Sequence, residues 1–456
     1  MSHRRRYLER ELAVSCGPLR NVARLASSGV LGGYVVFEKH GRYQVCADPL
    51  AEIRLDGDRL RAWYDGESVT DERTADPLRR IGRCLDALPV ESWRAYGWTA
   101  FELGCALAGV PVGEQRLAHL VVPRVEVELT EGHARVRALT AQALDTVTGL
   151  LTASETPAPA ATPRRVDTDQ SGAQTYQAAV RLAVEDIRAG RLQKVILSRT
   201  VPVDFDVDLV ATYVHGRENN TPARSFLLDL DGTTAAGFSP ETVLETEGGH
   251  VTTQPLAGTR RRSADPAETR RLRAELYASD KEILEHAVSV KTSVEELGTV
   301  CRPGSVRVAD FMGIRERGSV QHLASRVSGD LAPGSDVWDA FAATFPAVTA
   351  SGIPKAAAYE CLRRLETEPR GLYAGAVLTV DSDGAMDAAL VLRTVYQSGD
   401  RTWLRAGAGI VEQSDPEREY EETREKLESV SRYLVPAAPG GRSGARADVY
   451  AEAGAA

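Results

Sequence analysis

The chain has 456 residues, of which 43% are hydrophobic and 26% are charged, a composition typical of a globular protein. Its formal net charge is -9, which argues against broad binding to nucleic acid or to an anionic membrane surface. No apolar run approaches the roughly 18 residues of a membrane-spanning helix, and the six cysteines form no CxxC pair, so we expect a cytoplasmic protein with reduced thiols.

Composition divides the chain into five segments. Residues 1–11 include a run of arginines and are expected to be a flexible N-terminus. Residues 12–150 alternate short β-like runs with turns and form the N-terminal half of the fold. Residues 151–170 are rich in Pro, Ala, Ser and Thr, which is typical of an exposed connection. A second structured region follows over 171–436, and the tail 437–456 has few large apolar residues and is expected to be disordered.

The second region begins with a helix that leads directly into the strand KVILSR, so Lys194 lies at a helix-to-strand junction. One long helix is predicted over about 266–297, with Glu282 and Glu285 three residues apart on one face. His322 falls within a predicted strand, where a lone histidine is more often a core residue than a catalyst.

The segment from about residue 371 to 411 predicts three antiparallel strands joined by DSDG and QSGD turns. Tyr373 and Arg393 fall on the first two predicted strands, and Gly407 falls on the third. A polar loop and an acidic helix follow, and the pair Asp415–Pro416 marks the start of that helix.

Glu419, Glu422 and Lys426 project from one face of this acidic helix. Taken alone, they are more typical of a solvated salt-bridge surface than of a site. The second pair of carboxylates at Glu282 and Glu285 changes that interpretation, because two such pairs indicate a shared metal ion.

A set of sequence motifs occurs in order along residues 175–435. They are KVILSR, GFSPETVL, PLAGTR, KEILEH, FPAVTASGIPK, GLYAGAV, LRAGAGIV and EREYEETREKL. In their order and spacing the chain resembles the chorismate-utilising enzymes, which include anthranilate, aminodeoxychorismate, isochorismate and salicylate synthases. TASGIPK, and RAGAGI followed by EREYEET, are most similar to the salicylate synthase branch of siderophore biosynthesis.

The resemblance implies a single large α/β (α+β) domain in which two antiparallel sheets pack face to face, surrounded by helices, with the active site in a cleft. It implies chorismate as the substrate and Mg²⁺ as the cofactor. It also implies activity without a glutaminase subunit, and we expect a monomer that binds neither nucleic acid nor membrane.

The resemblance also assigns roles to individual residues. Lys194 matches the base that activates water for attack at C2 of chorismate, and Glu241 matches the acid that protonates the departing C4 hydroxyl. His322 and Thr349 match further positions of the catalytic pocket. These residue types suit the chemistry, because water needs a base and hydroxide leaves only when it is protonated.

The remaining roles concern binding. The expected metal group is Glu285 and Glu422, with Glu282 and Glu419 holding metal-bound waters. The expected substrate-binding group is Tyr373 and Arg393 at the pyruvyl carboxylate, together with Gly258, Thr259, Gly407 and Lys426. Mg²⁺ would reverse the negative charge of the glutamates toward a dianionic substrate.

The resemblance leaves alternatives for the reaction. Anthranilate synthases have glutamine in place of Lys194 and use ammonia, and SVKTSVEELGTVC departs from their usual sequence, although aminodeoxychorismate synthases can have lysine there. Isochorismate synthases share the base, the acid and the metal site, but many have Pro-Ala-Val-Gly-Gly where this chain has TASGIPK. A non-catalytic relative would lack at least one main catalytic or binding residue, and all are present. The sequence therefore favours formation of salicylate and pyruvate, with release of isochorismate as the main alternative.

Overall fold

The computed structural model describes residues 4–153, 162–169, 172–318 and 320–438. The predicted tail from residue 439 onward and residues 154–161 and 170 of the predicted connection lie outside these ranges. The helices of the described residues are α1 (Pro18–Ala26), α2 (Pro77–Asp86), α3 (Glu102–Leu107), α4 (Ala141–Thr152), α5 (Ala173–Arg188), α6 (Leu209–Asn219), α7 (Pro266–Ala278), α8 (Asp280–Gly298), α9 (Val337–Thr344), α10 (Lys355–Leu365) and α11 (Pro416–Ser431).

The strands of the same residues pair antiparallel throughout. They are β1 (Leu8–Ala13), β2 (Tyr34–Lys39), β3 (Arg42–Asp56), β4 (Arg59–Tyr64), β5 (Glu67–Arg73), β6 (Arg94–Thr99), β7 (Arg116–Thr130), β8 (His133–Ala138), β9 (Lys194–Pro202), β10 (Arg224–Leu230), β11 (Thr233–Ser239), β12 (Thr242–Glu247), β13 (His250–Thr253), β14 (Leu256–Arg261), β15 (Arg307–Arg317), β16 (Val320–Asp330), β17 (Gly352–Ile353), β18 (Ala376–Asp381), β19 (Met386–Leu390), β20 (Thr394–Ser398) and β21 (Arg401–Ile410).

Two long strands, β3 and β7, join all of these strands into one network. Their mutual register shifts next to the paired prolines Pro49 and Pro123, where neither residue can donate a ladder hydrogen bond. On one side of the shift, β3 and β7 continue into sheet I, which runs β17-β9-β21-β20-β11-β10-β2-β3-β7-β8-β1. On the other side they continue into sheet II, which runs β5-β4-β3-β7-β6-β18-β19-β12-β13-β16, with β14 and β15 both paired to β16.

Side chains that alternate between two buried clusters along a strand show that the two sheets pack face to face. In β2, Val35 and Phe37 belong to a buried cluster that also contains Val377 of sheet II, whereas Val36 belongs to a second cluster with Leu25 of α1. Successive side chains of a strand point to opposite faces, so one face of sheet I packs on sheet II and the other is covered by helices. The predicted fold class, a single α/β domain of packed antiparallel sheets surrounded by helices, is confirmed.

Three predicted elements need correction. The expected flexible N-terminus ends earlier than residue 11, because Leu8–Ala13 pairs with β8. The predicted helix over 266–297 is two helices, because Ser279 is extended (φ −87°, ψ 109°) and its hydroxyl accepts a hydrogen bond from the backbone N–H of Glu282. Ser279 thus supplies a new N-cap at the point where the glutamate face begins.

The third correction concerns the predicted three-stranded segment, which contains four strands. Tyr373 lies in a turn before β18, and Arg393 lies between β19 and β20 with φ of 51°. At Arg393 the chain passes from sheet II to sheet I, and it makes the reverse passage between β11 and β12, where Glu241 lies. Both predicted site residues therefore stand at crossings between the sheets.

No helix in the described part of the chain is long and apolar enough to cross a membrane.

Candidate active site

A cavity of about 830 Å³, which includes the solvent at its mouth, lies beside these crossings. This volume suits a small organic ligand. Its walls come from both sheets and from α8 and α11, and they include eleven of the fourteen predicted site residues: Glu241, Gly258, Thr259, Glu285, His322, Thr349, Tyr373, Arg393, Gly407, Glu422 and Lys426. Lys194, Glu282 and Glu419 stand behind this wall. The sequence therefore predicted one assembly of residues that the fold does bring together.

Lys194, the first residue of β9, is only 1% exposed. Its Nζ lies 3.0 Å from Oε1 of Glu285 and donates a hydrogen bond of 3.1 Å to Oγ of Ser289. Because Glu285 lines the cavity, Lys194 is one side chain away from the space where a substrate would bind.

Glu241 is 3% exposed, and burial raises its pKa to about 8 although the Thr349 hydroxyl donates a hydrogen bond to it. The loop that carries it is fixed by Ser239, whose hydroxyl bonds to the Glu241 and Leu390 carbonyls. At neutral pH this carboxyl is therefore mostly protonated, which is the state that a proton donor needs.

Arg393, at the other crossing between the sheets, is bonded to His322 of β16. Nη2 of Arg393 donates to Nε2 of His322 over 2.6 Å, and Nδ1 of His322 lies 3.0 Å from Oγ1 of Thr259. An arginine can only donate, so the imidazole is neutral with its proton on Nδ1. Burial, and next the Arg393 charge, hold the pKa of His322 well below its usual value.

Burial and the nearby Arg317 charge lower the pKa of Arg393 to about 9. Because burial and a nearby positive charge destabilise the charged guanidinium, a bound anion would stabilise it. The arrangement of Arg393 therefore favours a carboxylate in the cavity.

Gly407 lies where the neighbouring strand and Tyr373 leave no room for a side chain. A Cβ at this position would lie 2.5 Å from the Leu197 carbonyl oxygen and 2.9 Å from the Tyr373 hydroxyl. Nζ of Lys426 donates to the Gly407 carbonyl over 2.8 Å. Gly258 has φ of 84°, a left-handed conformation that also favours glycine.

The four predicted metal-binding glutamates stand on the facing ends of α8 and α11, and each has a basic partner. The nearest nitrogen–oxygen distances are 2.7 Å for Arg260 to Glu282, 3.0 Å for Lys194 to Glu285, 2.6 Å for Lys281 to Glu419 and 2.8 Å for Lys426 to Glu422. The hypothesis that Glu419 and Glu422 form a solvated surface is wrong, since Glu419 is fully buried and Glu422 is 13% exposed.

The donor set suits a hard divalent cation, although the carboxylates are not gathered into a chelate. Within residues 4–153, 162–169, 172–318 and 320–438, no three potential ligands are grouped closely enough to hold a metal ion. Two observations nevertheless show that the Glu419 carboxyl is incompletely compensated. Its Oε2 is buried without a hydrogen-bond partner, and burial, followed by the Glu422 charge, raises its pKa above the usual value. Carboxylate oxygens are what Mg²⁺ prefers, so the residue types fit, although each carboxylate is paired with a basic side chain.

Sequence reasoning did not single out Arg405, which lines the cavity, or Ser289, which bonds to Lys194. Arg405 shares the buried carboxylate of Glu366 with Arg370. Ser289 could have been found, because it follows Glu285 by four residues on the same helical face. Nothing in the local sequence indicates that Arg405 meets Glu366.

Comparison with known proteins places the whole site within one family. Residues 34–432 match the sequence profile of the family described as chorismate binding enzyme. A salicylate synthase from Mycolicibacterium paratuberculosis (strain ATCC BAA-968 / K-10) is 44% identical over 409 residues, covering 88% of this chain and 90% of the relative. The chain belongs to the chorismate-binding enzyme family.

Solved structures of similar fold are consistent with this family. Anthranilate synthase component I from Streptococcus pneumoniae superposes with a TM-score of 0.71 at 26% identity, covering 87% of this chain and 92% of that structure. The menaquinone-specific isochorismate synthase from Escherichia coli superposes with a TM-score of 0.70 at 21% identity, covering 95% and 96%. The fold of this chorismate-binding enzyme is thus shared by relatives that form different products.

The raised pKa of Glu241 predicts a pH-dependent difference between the wild type and Glu241→Gln. Unfolding returns this carboxyl from a pKa of about 8 to one near 4.5, so its contribution to stability is complete below pH 4.5 and is lost as the pH rises through 8. Relative to the variant, the wild type should lose on the order of a few kcal/mol of unfolding free energy across that window. Urea unfolding at pH values from 5 to 9 measures this.

Glu247→Gln is the matched control, because Glu247 is exposed at the end of β12. It should not reproduce the trend. Parallel pH curves for the wild type and Glu241→Gln would show that Glu241 ionises normally.

Proposed function

We propose that this chorismate-binding enzyme is a salicylate synthase, which converts chorismate to isochorismate and then to salicylate and pyruvate. The observation that carries the proposal is a buried Glu241 of raised pKa on the cavity wall with a buried Lys194 directly behind that wall, since an acid and a base are what the first step needs. The salicylate synthase that is 44% identical over most of both chains supports the choice of product. Siderophores or other aryl-capped natural products are the proposed use of the salicylate.

In the proposed first step, Lys194 removes a proton from the water molecule that attacks C2 of the ring. As the new C2–O bond forms, the ring double bonds shift and the C4–O bond breaks. Glu241 donates its proton to the departing hydroxyl, which leaves as water, so no net water is consumed. Burial keeps Glu241 protonated for this role.

In the proposed second step, the C2 hydrogen moves to the methylene carbon of the enolpyruvyl group while the ether bond to the ring breaks. Pyruvate leaves and the ring becomes aromatic. This step depends on the conformation of the bound intermediate, so the protein contributes mainly by positioning. Thr349 is proposed to help position the intermediate, since it lines the cavity and its hydroxyl donates a hydrogen bond to Glu241.

Substrate binding is proposed to use opposite charges at the two ends of the cavity. Arg393, Tyr373 and the backbone around Gly407 would hold the pyruvyl carboxylate. Glu285 and Glu422 would hold Mg²⁺, with Glu282 and Glu419 beside them. When bound, Mg²⁺ supplies positive charge for the ring carboxylate. The site needs no glutaminase subunit when water is the nucleophile, and we propose that a monomer is active.

The main alternative is an isochorismate synthase, which would stop after the first step. Lys194, Glu241 and the glutamates serve that reaction equally well. The isochorismate synthase structure is only 21% identical and therefore shows the shared fold alone. It does not favour either salicylate or isochorismate as the product.

A product assay distinguishes the two functions. Purified protein with chorismate and Mg²⁺ should release salicylate and pyruvate in equal amounts, without added ammonia, as measured by chromatography and a coupled pyruvate assay. Isochorismate that accumulates without pyruvate would assign the alternative function, and anthranilate formed only with ammonia would contradict both.

Lys194→Ala should lower the rate of isochorismate and salicylate formation by about 10²–10⁴-fold, because the attacking water loses its base. Lys291→Ala on α8 is the control, since Lys291 is 76% exposed and bonds only weakly to Glu295. Circular dichroism verifies that both variants are folded. Wild-type turnover in a folded Lys194→Ala variant would remove Lys194 from the mechanism.

Chelation should abolish activity, and added Mg²⁺ should restore it. Glu422→Gln should raise the Mg²⁺ concentration needed for half-maximal activity by at least about tenfold. Glu417→Gln should leave it unchanged, because Glu417 is exposed in the first turn of the same helix. Full activity of the wild type in EDTA would exclude the proposed metal site.

A further inference from the structure

The ion pair between Lys281 and Glu419 ties the two glutamate helices together. Lys281 stands in the first turn of α8, and Glu419 stands in the first turn of α11. Nζ of Lys281 donates to Oε1 of Glu419 over 2.6 Å, while Oε2 of the same carboxylate is buried without a hydrogen-bond partner. The ammonium also interacts electrostatically with Glu422 and Glu285. It is therefore a positive charge placed among three of the four glutamates.

The basic partners of the other glutamates are each held by a second bond. Lys194 also donates to Ser289, Lys426 to the Gly407 carbonyl, and Arg260 to the Thr259 carbonyl. Within the described ranges, the ammonium of Lys281 has no hydrogen-bond partner other than Glu419. Its side chain is 22% exposed, whereas that of Glu419 is fully buried. Of the four basic partners, Lys281 thus has the fewest hydrogen bonds to lose, and its side chain is partly exposed, as are those of Lys426 and Arg260.

We infer that Lys281 is the internal counter-ion of the metal-free site, and that a divalent cation takes its place at Glu419. This inference rests on the Mg²⁺ site of the proposed function. A carboxylate buried without a cation is strongly destabilised, so the site needs a positive charge before the metal arrives. Lys281 supplies it, and the same charge then opposes metal binding until the side chain swings toward solvent. Lys281 therefore sets the metal affinity without touching the substrate.

The test compares two substitutions that remove one positive charge near the glutamates. Lys281→Met removes the counter-ion that is bonded to Glu419. Arg418→Met removes a charge that also interacts with Glu419 and Glu422 but whose hydrogen bond, of 3.4 Å, goes to Glu425. Mg²⁺ binding to the full chain is measured by isothermal titration calorimetry, without chorismate, so that the readout is independent of activity.

Lys281→Met should bind Mg²⁺ at least about tenfold more tightly than the wild type, because the competing cation is gone. The Mg²⁺ affinity of Arg418→Met should stay within about threefold of the wild-type value, because solvent and salt screen the exposed Arg418 charge. Equal shifts in both variants, or no gain in Lys281→Met, would overturn the inference. If Lys281→Met does not fold, as judged by circular dichroism, Lys281→Gln takes its place with the same expected order.

The wild type separates this inference from the function on which it rests. A wild type that binds no Mg²⁺ would remove the metal site of the proposed function and this inference with it. A wild type that binds Mg²⁺ as tightly as Lys281→Met would leave that metal site intact and overturn the role of Lys281 alone.

Discussion

Neutralising four carboxylates at and directly behind one wall of the cavity is the constraint on which the rest of the site depends. Helices α8 and α11 present these glutamates toward each other, and each is matched by a lysine or arginine. Removing the partner of a buried carboxylate typically costs about 3–5 kcal/mol, so the basic residues also stabilise the fold. The same residues include the proposed base, Lys194. Folding and chemistry therefore rely on one set of charges.

The two sheets decide where this charged wall meets the rest of the site. Glu241 and Arg393 lie where the chain crosses between the sheets, and both crossings open on the same cavity. At a crossing the backbone leaves its ladder, which frees a side chain to point into the gap between the sheets. Arg393 accepts a left-handed conformation there, and Glu241 becomes buried enough to stay protonated. The positions of the proposed acid and of the arginine proposed to bind an anion thus both result from how one sheet is connected to the other.

The choice of product depends on a subtler property than the presence of catalytic groups. The proposed roles of Lys194, Glu241 and the glutamates fit salicylate and isochorismate formation equally, and solved structures of proteins named for different activities share the fold. Salicylate requires that isochorismate be held in the conformation that expels pyruvate. We therefore expect the difference between salicylate and isochorismate formation to lie in the residues that shape the cavity, among them Thr349 beside Glu241.

The sequence by itself determined the family and the antiparallel α/β fold class, and it named most of the predicted site residues that line the cavity, because motifs preserve residue type and order along the chain. It also placed the start of α11, since the Asp415–Pro416 pair is a local signal that the side chain of Asp415 satisfies by accepting two backbone hydrogen bonds. It did not reveal the break at Ser279, which interrupts a pattern that otherwise reads as continuous helix. Nor did it place Arg393 off a strand, because a change of sheet has no signature in side-chain periodicity. Only the tertiary structure paired Lys281 with Glu419 and Arg405 with Glu366, since partners 138 and 39 residues apart are chosen by packing.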